Sequence, residues 1–252
     1  MSSHTDAPRR RRNSSNGAGT RGKPQPFSAI KRLVEDDTIS RVPLDQYQAK
    51  VKDVYGGPQG AILATASMLS LHTPLTERLF RSRRFSLAGM KTILDVGSGA
   101  GQLAQHLLKY ADPGTQIYCT DLSQPMLRRA RRRLKGGSPT FVTADLTALP
   151  FPNDSFDGVT CGYVLEHLPD PQLGLAELAR VMRPGARMFL LTTEDTIYGA
   201  WTSRFWCCRT YNRKELMRQC ESLGLRWQRE LWLTRVHQAV RLGGICVEIE
   251  KP

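Results

Sequence analysis

Strand-like apolar runs alternate with helical patterns between residues 91 and 192, and this alternation constrains the fold more than any other feature. The predicted strands lie at 92–96, 116–120, 140–144, 156–161 and 187–192. The predicted helices lie near 101–110, 124–135 and 171–182. Right-handed crossovers between such strands produce a parallel sheet with helices on both faces. The sequence therefore predicts an α/β domain.

The pattern changes after residue 192. A helix is predicted to begin at Asn212 and to end at Gly224, and strand-like runs follow at 226–233 and 238–249. Two strand-like runs so close in sequence favour a hairpin. We therefore predict that an antiparallel pair closes the parallel sheet.

The chain divides into three predicted parts. Residues 1–26 are rich in Ser, Gly, Pro and Arg and have few large apolar residues, which predicts a disordered basic tail. Residues 27–90 show helical spacing and are predicted to form an N-terminal extension or lid, in which Tyr47 and Tyr55 would cover the site. Residues 91–252 are predicted to form the catalytic-sized domain.

The positive charge of the chain is concentrated in two segments. The formal net charge is +13, and only +2 of it lies outside residues 1–26 and the run LRRARRRLK at 127–135. A basic face that covers the whole protein is therefore not predicted. The RRRR of the tail could contact RNA, acidic lipid or an import receptor, or could simply be solvated.

Other compositional signals narrow the class of protein. The sequence has no apolar stretch long enough for a membrane span and no secretory signal, so we expect a soluble, cytoplasmic protein. The six cysteines include no C-x-x-C pair, so neither a metal site nor a disulfide framework is predicted.

A glycine-rich turn follows the first predicted strand in ILDVGSGAGQL, residues 93–103. Gly97, Gly99 and Gly101 have G-x-G-x-G spacing, which is neither the dinucleotide fingerprint nor a phosphate loop. Asp95 stands two residues before the first glycine. A carboxylate there would repel a pyrophosphate and attract an ammonium or sulfonium group.

Aspartates also end the next two predicted strands. Asp121 follows the second strand, and Asp145 follows the third. Each alone could be a helix cap or a turn former. Because the carboxyl ends of parallel strands share one edge, we expect both to converge with Asp95 on one crevice. Such a crevice suits a ligand with amine, diol and adenine donors and a positive centre.

At this point the sequence resembles the class I methyltransferases dependent on S-adenosylmethionine. The resemblance runs from about residue 92 to the C-terminus, in ILDVGSGAGQL, YCTDLSQPML, TADLTALPFPNDSFDGVTCGYVLEHLPDP and LARVMRPGARMFLL. It implies S-adenosylmethionine as cofactor. It also implies a Rossmann-like, mostly parallel sheet of seven strands whose last strand is antiparallel, which agrees with the predicted hairpin.

The resemblance further implies roles for individual residues. Asp121 would bind the ribose, and Asp145 would bind the adenine amine. Around the methionine part it implies Asp95 with Gly97, Ser98, Gly99 and Gly101. Around the adenine it implies Leu122, Met126 and Leu146, of which the last two could equally be plain core, and it implies mainly backbone contact from Cys161.

No catalytic residue is predicted. The sulfonium of the cofactor already activates the methyl group, so positioning a nucleophile can supply on the order of 7–11 kcal/mol and a dedicated base is optional. Tyr163, Glu166 and His167 follow the fourth predicted strand, beside the expected acceptor pocket. For Glu166 and His167 we favour a packing or capping role.

Motifs after the fourth predicted strand bear on the acceptor. The Asn-Pro-Pro-Tyr type tetrad of amino-methylating enzymes and the proline-cysteine pair of RNA cytosine C5 enzymes are absent. The residues after the fourth predicted strand also depart from the pattern of quinone C-methylating enzymes. What remains resembles the broad group that acts on small molecules. Aromatic residues at 193–211 would either bind a flat, apolar acceptor or cover the sheet: Trp201, Phe205, Trp206 and Tyr211.

Three functions are therefore weighed. The first is a methyltransferase that acts on a small, hydrophobic or aromatic acceptor. The second is an RNA- or protein-modifying methyltransferase that docks through its basic segments. The third is a cofactor-binding interaction protein without turnover. The sequence predicts no oligomeric state.

Overall fold

The computed structural model describes residues 72–196, 208–240 and 244–252, together with Gln46, Ala49, Gly199 and Ser203. The predicted basic tail and most of the predicted extension lie outside these residues. So do several aromatic side chains singled out in the sequence: Tyr47, Tyr55, Trp201, Phe205 and Trp206.

The described residues contain seven strands and six α-helices. The strands are β1 Thr92–Val96, β2 Gln116–Asp121, β3 Thr140–Thr143, β4 Phe156–Gly162, β5 Met182–Thr192, β6 Arg226–Glu230 and β7 Ile245–Glu250. The helices are α1 His72–Arg81, α2 Gln102–Tyr110, α3 Gln124–Arg133, α4 Pro171–Val181, α5 Arg213–Ser222 and α6 Arg235–Val240. A short 3-10 helix spans Leu165–His167.

The strands form one sheet in the order β3-β2-β1-β4-β5-β7-β6. Strands β1 to β5 pair in parallel, whereas β7 is antiparallel to both β5 and β6. The predicted mostly parallel sheet with an antiparallel last strand is thereby confirmed. Since β1 lies between β2 and β4, the chain reverses its direction of progress along the sheet at β1, where ligands of such sheets bind.

Two details of the predicted sheet ending were wrong. The strand predicted at 238–249 begins only at Ile245, because α6 occupies the first part of that run. Thr234 starts this helix, since its hydroxyl oxygen accepts a hydrogen bond from the His237 backbone N–H at 3.1 Å. The connection between β6 and β7 therefore contains a helix, although the two strands pair as predicted.

Alternate side chains of β5 enter two separate apolar cores. Met188 and Leu190 pack under α4, the 3-10 helix and α5, with Leu165, Leu175, Leu178, Leu216 and Val247. Phe189 and Leu191 point to the other face, beneath α1 and α2, with Leu79, Phe80, Phe85, Leu107 and Ile117. Helices therefore cover both faces of the sheet, as predicted.

The segment before β1 contributes directly to the second core. The Phe189 ring lies 5.2 Å from the Phe80 ring and 5.4 Å from the Phe85 ring, measured between centroids. These three side chains are at most 2% exposed. The end of α1 and the turn after it are therefore part of the sheet's own packing, and the boundary predicted at residue 91 stays a prediction.

None of the helices in the described part of the chain has both the length and the apolar character that crossing a bilayer requires.

Replacing Phe189 with Ala should lower the free energy of unfolding by about 3–5 kcal/mol, because it empties the centre of the aromatic cluster. Leu173→Ala is the matched control, since Leu173 is 48% exposed on α4 and its loss should cost less than about 0.5 kcal/mol. Urea unfolding measures both values. Equal costs for the two variants would show that Phe189 is not buried at the centre of this cluster.

Candidate functional site

The turn between β1 and α2 is built from glycines in the left-handed region of backbone space. Gly97, Gly99 and Gly101 have φ angles of 63°, 53° and 85°. The turn is tied to the neighbouring strand, because Ser98 donates its backbone N–H to the Thr120 carbonyl at 2.8 Å. Three such conformations within five positions explain the glycine spacing, since residues other than glycine rarely adopt these φ angles.

Close packing adds a second requirement for glycine at two of these positions. A Cβ at Gly97 would lie 2.2 Å from Val164 Cγ2, and a Cβ at Gly101 would lie 3.2 Å from the Cβ of Ala130 on α3. The turn, defined here as the glycine loop (residues 97–101), is therefore held between the exit of β4 and the C-terminal half of α3.

Asp95 lies on β1 directly beneath the glycine loop and is 1% exposed. Its Oδ1 accepts a hydrogen bond from the Thr160 hydroxyl at 2.6 Å, whereas its Oδ2 is buried without a hydrogen-bond partner. Burial raises the pKa of Asp95 to about 6, and the nearby charge of Asp121 adds to the rise. A buried carboxylate oxygen without a donor is costly, which marks this atom as a place where a ligand donor would be favourable.

Asp121 ends β2 and holds the glycine loop from the other side. Its Oδ2 accepts the backbone N–H of Gly99 at 2.9 Å, and its Oδ1 accepts the backbone N–H of Ser123 at 2.8 Å. Burial raises the pKa of Asp121. Because a carboxylate can accept about four hydrogen bonds, each oxygen keeps capacity for a further donor.

Asp145 follows β3 and lines a cavity at the same edge of the sheet. Its Oδ1 accepts the backbone N–H of Thr147 at 2.9 Å. The cavity has a volume of about 670 Å³, and its walls come from two strand ends and the first turn of α3: Leu122, Ser123, Gln124, Pro125, Thr143, Ala144 and Asp145. Strands β1, β2 and β3 are neighbours in the sheet, so all three aspartates lie at adjacent strand ends.

The remaining residues of the predicted cofactor site differ in accessibility. Leu122 is partly exposed and lines the cavity. Met126 is 6% exposed beside Gly99, and Leu146 is 5% exposed within the first apolar core. Cys161 is fully buried on β4, where it pairs with Val96 of β1. The side chains of Met126, Leu146 and Cys161 thus contribute to packing in this structure.

Tyr163 has an unusual backbone conformation immediately after β4. Its φ angle is 57°, which is uncommon for a residue other than glycine. Its backbone N–H donates to the Leu191 carbonyl of β5 at 2.7 Å. The bond fixes the exit of β4 against β5, and the partly exposed Tyr163 side chain lies at this exit.

Glu166 is buried in the 3-10 helix and bonded to the end of β5. Its carboxylate accepts the hydroxyls of Thr192 at 2.5 Å and Thr193 at 2.7 Å. Burial raises the pKa of Glu166 to about 7. These contacts fit the packing role favoured from the sequence, as both carboxylate oxygens are used within the protein. Burial lowers the pKa of the neighbouring His167 to about 4, so its ring is neutral near pH 7.

An ion pair that sequence analysis missed anchors the segment after β5. Arg213, at the start of α5, donates to both carboxylate oxygens of Glu194 at 2.9 and 2.8 Å. Its guanidinium also lies 4.9 Å from the centre of the Trp232 ring. No periodic pattern relates two residues 19 positions apart, so no sequence signal pairs them.

Tyr211 belongs to the same anchor rather than to an open acceptor pocket. It is 7% exposed, its hydroxyl donates to the Leu165 carbonyl at 2.8 Å, and its N–H donates to the Thr193 carbonyl at 2.9 Å. Of the two alternatives for the aromatic residues at 193–211, the structure favours the covering role for Tyr211. The contacts of Glu166, Glu194, Tyr211 and Arg213 are called the β5 anchor below.

The β5 anchor predicts a pH dependence of stability. Folded Glu166 keeps its proton up to about pH 7 and the unfolded carboxyl releases it near its ordinary pKa of 4.5, so the folded state binds more protons between these values. Its contribution to stability therefore falls as the pH rises through this window. Glu166→Gln removes this titrating group. The free energy of unfolding of the variant, relative to that of the wild type, should therefore rise by about 2 kcal/mol from about pH 5 to about pH 8.

Urea unfolding at several pH values measures this difference. Glu221→Gln is the control, because Glu221 is exposed on α5, and its curve should run parallel to that of the wild type. A parallel curve for Glu166→Gln as well would mean that Glu166 is ionised in the folded protein at all these pH values.

Comparison with known proteins identifies relatives of this architecture. Residues 94–190 match the family model described as a methyltransferase domain. The chain is 34% identical over 153 residues to a demethylmenaquinone methyltransferase of Clavibacter sepedonicus, a match that covers 60% of this chain and 61% of the relative. It is 30% identical over 181 residues to the ubiquinone/menaquinone biosynthesis C-methyltransferase UbiE of Methylobacterium nodulans, covering 67% and 72%.

A solved structure supports the fold. The magnesium protoporphyrin IX methyltransferase of Synechocystis, determined with bound S-adenosylmethionine, superposes with a TM-score of 0.59 at 17% identity and covers 82% of this chain and 97% of its own. The chain spans less than two thirds of the length of the Clavibacter relative and more than two thirds of the Methylobacterium relative. With the sheet order and the glycine loop, these matches show that the chain belongs to the class I S-adenosylmethionine-dependent methyltransferases.

Proposed function

We propose that this protein transfers the methyl group of S-adenosylmethionine to a small, hydrophobic or aromatic acceptor. The observation that carries the proposal is the position of Asp95, Asp121 and Asp145 at three adjacent strand ends around the glycine loop. This edge offers carboxylates where a phosphate-binding site would offer donors. A cationic nucleoside without phosphate matches that charge pattern.

The residues at β2 and β3 fit the adenosine part of the cofactor. Asp121 keeps acceptor capacity after its two backbone bonds, so it can bind the two ribose hydroxyls while it continues to hold Gly99 and Ser123. Asp145 and Leu122 line the 670 Å³ cavity, where a carboxylate would accept the adenine amine and an apolar side chain would cover the ring. We assign these three residues to adenosine binding.

The residues at β1 fit the methionine part. Asp95 has one buried oxygen without a donor, and an ammonium or sulfonium group near the glycine loop would stabilise its charged form. Gly97, Gly99 and Gly101 present backbone rather than side chains, which allows close approach of a ligand. We assign Asp95, Ser98 and the glycine loop to this part of the site. Met126 packs beside Gly99 and Cys161 pairs with Val96, whereas Leu146 follows Asp145 and packs in the first apolar core.

The chemistry requires little from the protein beyond positioning. S-adenosylmethionine supplies a methyl group already activated by its sulfonium centre. The strand ends would orient this methyl donor. The β5 anchor would hold the two ends of the segment between Glu194 and Arg213 and help to exclude water. Both carboxylate oxygens of Glu166 are engaged by Thr192 and Thr193, so we assign it no role as a base.

Two observations support a flat, apolar acceptor. The relatives from Clavibacter and Methylobacterium are named as enzymes of menaquinone or ubiquinone methylation. In addition, Trp201, Phe205 and Trp206 lie in the sequence between the two ends of the β5 anchor. The stretch after β4 departs from the quinone C-methylating pattern, so the proposal names the class of acceptor, a substituted ring with an apolar tail, rather than one quinone.

Replacing Asp121 with Ala should weaken S-adenosylmethionine binding about 10- to 100-fold, because charged hydrogen bonds to the ribose hydroxyls are lost. Asp121→Asn, which keeps one acceptor oxygen, should have a smaller effect. Asp170→Ala is the control, since Asp170 caps α4 by accepting the Gln172 N–H and its loss should leave binding unchanged. Isothermal titration calorimetry measures the affinity for S-adenosylmethionine, on variants whose circular dichroism spectra match that of the wild type. Unchanged affinity in Asp121→Ala would refute the assignment.

The acceptor class is tested with radiolabelled S-adenosylmethionine. A demethylated quinone dissolved in detergent, total RNA and a mixed protein fraction are offered in parallel, with Asp121→Ala as the negative control. Label in the quinone fraction supports the proposal. Label confined to RNA or protein would instead support the alternative enzyme that docks through its basic segments. Binding of S-adenosylmethionine without label in any fraction would favour a binding protein without turnover.

A further inference from the structure

Helix α3 carries a strongly basic face that the proposed reaction does not use. Arg128, Arg131, Arg132 and Lys135 follow i, i+3, i+4, i+7 spacing along the helix and its first following residues, and all four are exposed. The opposite side of the helix is apolar and buried through Leu127, Ala130 and Leu134. We call the four exposed side chains the α3 basic face.

The charge of the α3 basic face is not neutralised within the described ranges. The ion pairs found there involve none of its four residues. Arg128 donates to the side-chain oxygen of Gln124 at 3.1 Å, and the Arg131 guanidinium lies 5.1 Å from the centre of the Phe141 ring. Both contacts are with uncharged groups, so four positive charges face solvent together.

We propose that the α3 basic face docks this protein onto a membrane surface that contains anionic lipid. The inference rests on the proposed function, since an acceptor with an apolar tail would partition into a bilayer. The same helix connects both sites, because Gln124 and Pro125 in its first turn line the cavity assigned to adenosine. Docking through α3 therefore brings the methyl donor to the surface where such an acceptor is held.

The surface fits lipid headgroups better than single-stranded nucleic acid. Single-stranded nucleic acid is bound by exposed aromatic side chains on which bases stack, together with basic residues. In the parts of the chain described here, the exposed large apolar side chains are Leu173 and Val236, and neither is aromatic. Leu173 lies on α4 and Val236 on α6. The aromatic ring beside the α3 basic face, Phe141, is only partly exposed and is contacted by Arg131.

Docking of this kind is electrostatic and depends on salt. Anionic lipid attracts basic residues close to the surface, and the attraction decays within a Debye length of about 10 Å at 0.1 M salt. Binding should therefore require anionic lipid, and it should be reversed by added salt.

The test is co-sedimentation of the full chain with phospholipid vesicles. Phosphatidylcholine vesicles are compared with vesicles that contain about one third phosphatidylglycerol, at low salt and at about 0.5 M NaCl. The test variant is Arg128→Glu/Arg131→Glu/Arg132→Glu. The matched control is Lys214→Glu/Arg218→Glu/Arg226→Glu, which makes the same change in net charge at exposed positions on α5 and β6.

We expect the wild type and the matched control to bind anionic vesicles at low salt only, and the test variant to bind at least about tenfold more weakly. Both variants keep the Arg-rich tail, so their difference reports the helix alone. The proposal would be overturned if the test variant bound anionic vesicles as tightly as the wild type, or if the wild type bound neutral and anionic vesicles equally. Tighter binding of the wild type to an RNA duplex than to anionic vesicles, at the same salt concentration, would also overturn it.

Methyl transfer to a detergent-dissolved acceptor separates this inference from the proposed function. The test variant should retain its melting temperature, its affinity for S-adenosylmethionine and its detergent-phase activity. If the test variant methylates the detergent-dissolved acceptor but no longer binds anionic vesicles, both proposals are supported. Vesicle binding that depends on the α3 basic face, without methylation of any apolar acceptor, would keep the docking surface and reject the acceptor class.

Discussion

The hydrogen bond from the Gly99 backbone to the Asp121 carboxylate holds the site in one geometry. It joins the turn after β1 to the end of β2, and the second oxygen of the same carboxylate fixes Ser123 at the start of α3. Two crossovers are thus positioned by one partly buried carboxylate side chain. Because the strands are parallel and adjacent, a single bond at their tips sets the distance between the methionine and adenosine parts of the proposed site.

A second set of contacts organises the opposite half of the molecule. Glu166 joins the exit of β4 to the end of β5, and the Glu194–Arg213 pair joins the end of β5 to α5. The proposed cofactor site is therefore held by carboxylates that accept backbone N–H groups, and the segment after β5 by buried ionic and polar contacts between side chains.

The strands, the glycine loop and the three aspartates could be predicted because each leaves a local pattern in the sequence. Apolar runs end at the aspartates that we assign to the cofactor, and positive φ angles demand glycine at spaced positions. The β5 anchor could not be predicted, since Glu194 and Arg213 meet only through tertiary packing. Helix α6 was missed because a threonine cap outweighed the strand-like composition of its sequence. Met126 and Leu146 stayed ambiguous because an apolar wall and an apolar core have the same residue types.

The most direct measurement is a crystal structure of the full chain with S-adenosylmethionine. We expect the ribose hydroxyls on Asp121, the adenine in the cavity beside Leu122 and Asp145, and a donor from the methionine part near the free oxygen of Asp95. A nucleoside bound at any other edge of the sheet, or one whose hydroxyls do not contact Asp121, would contradict it.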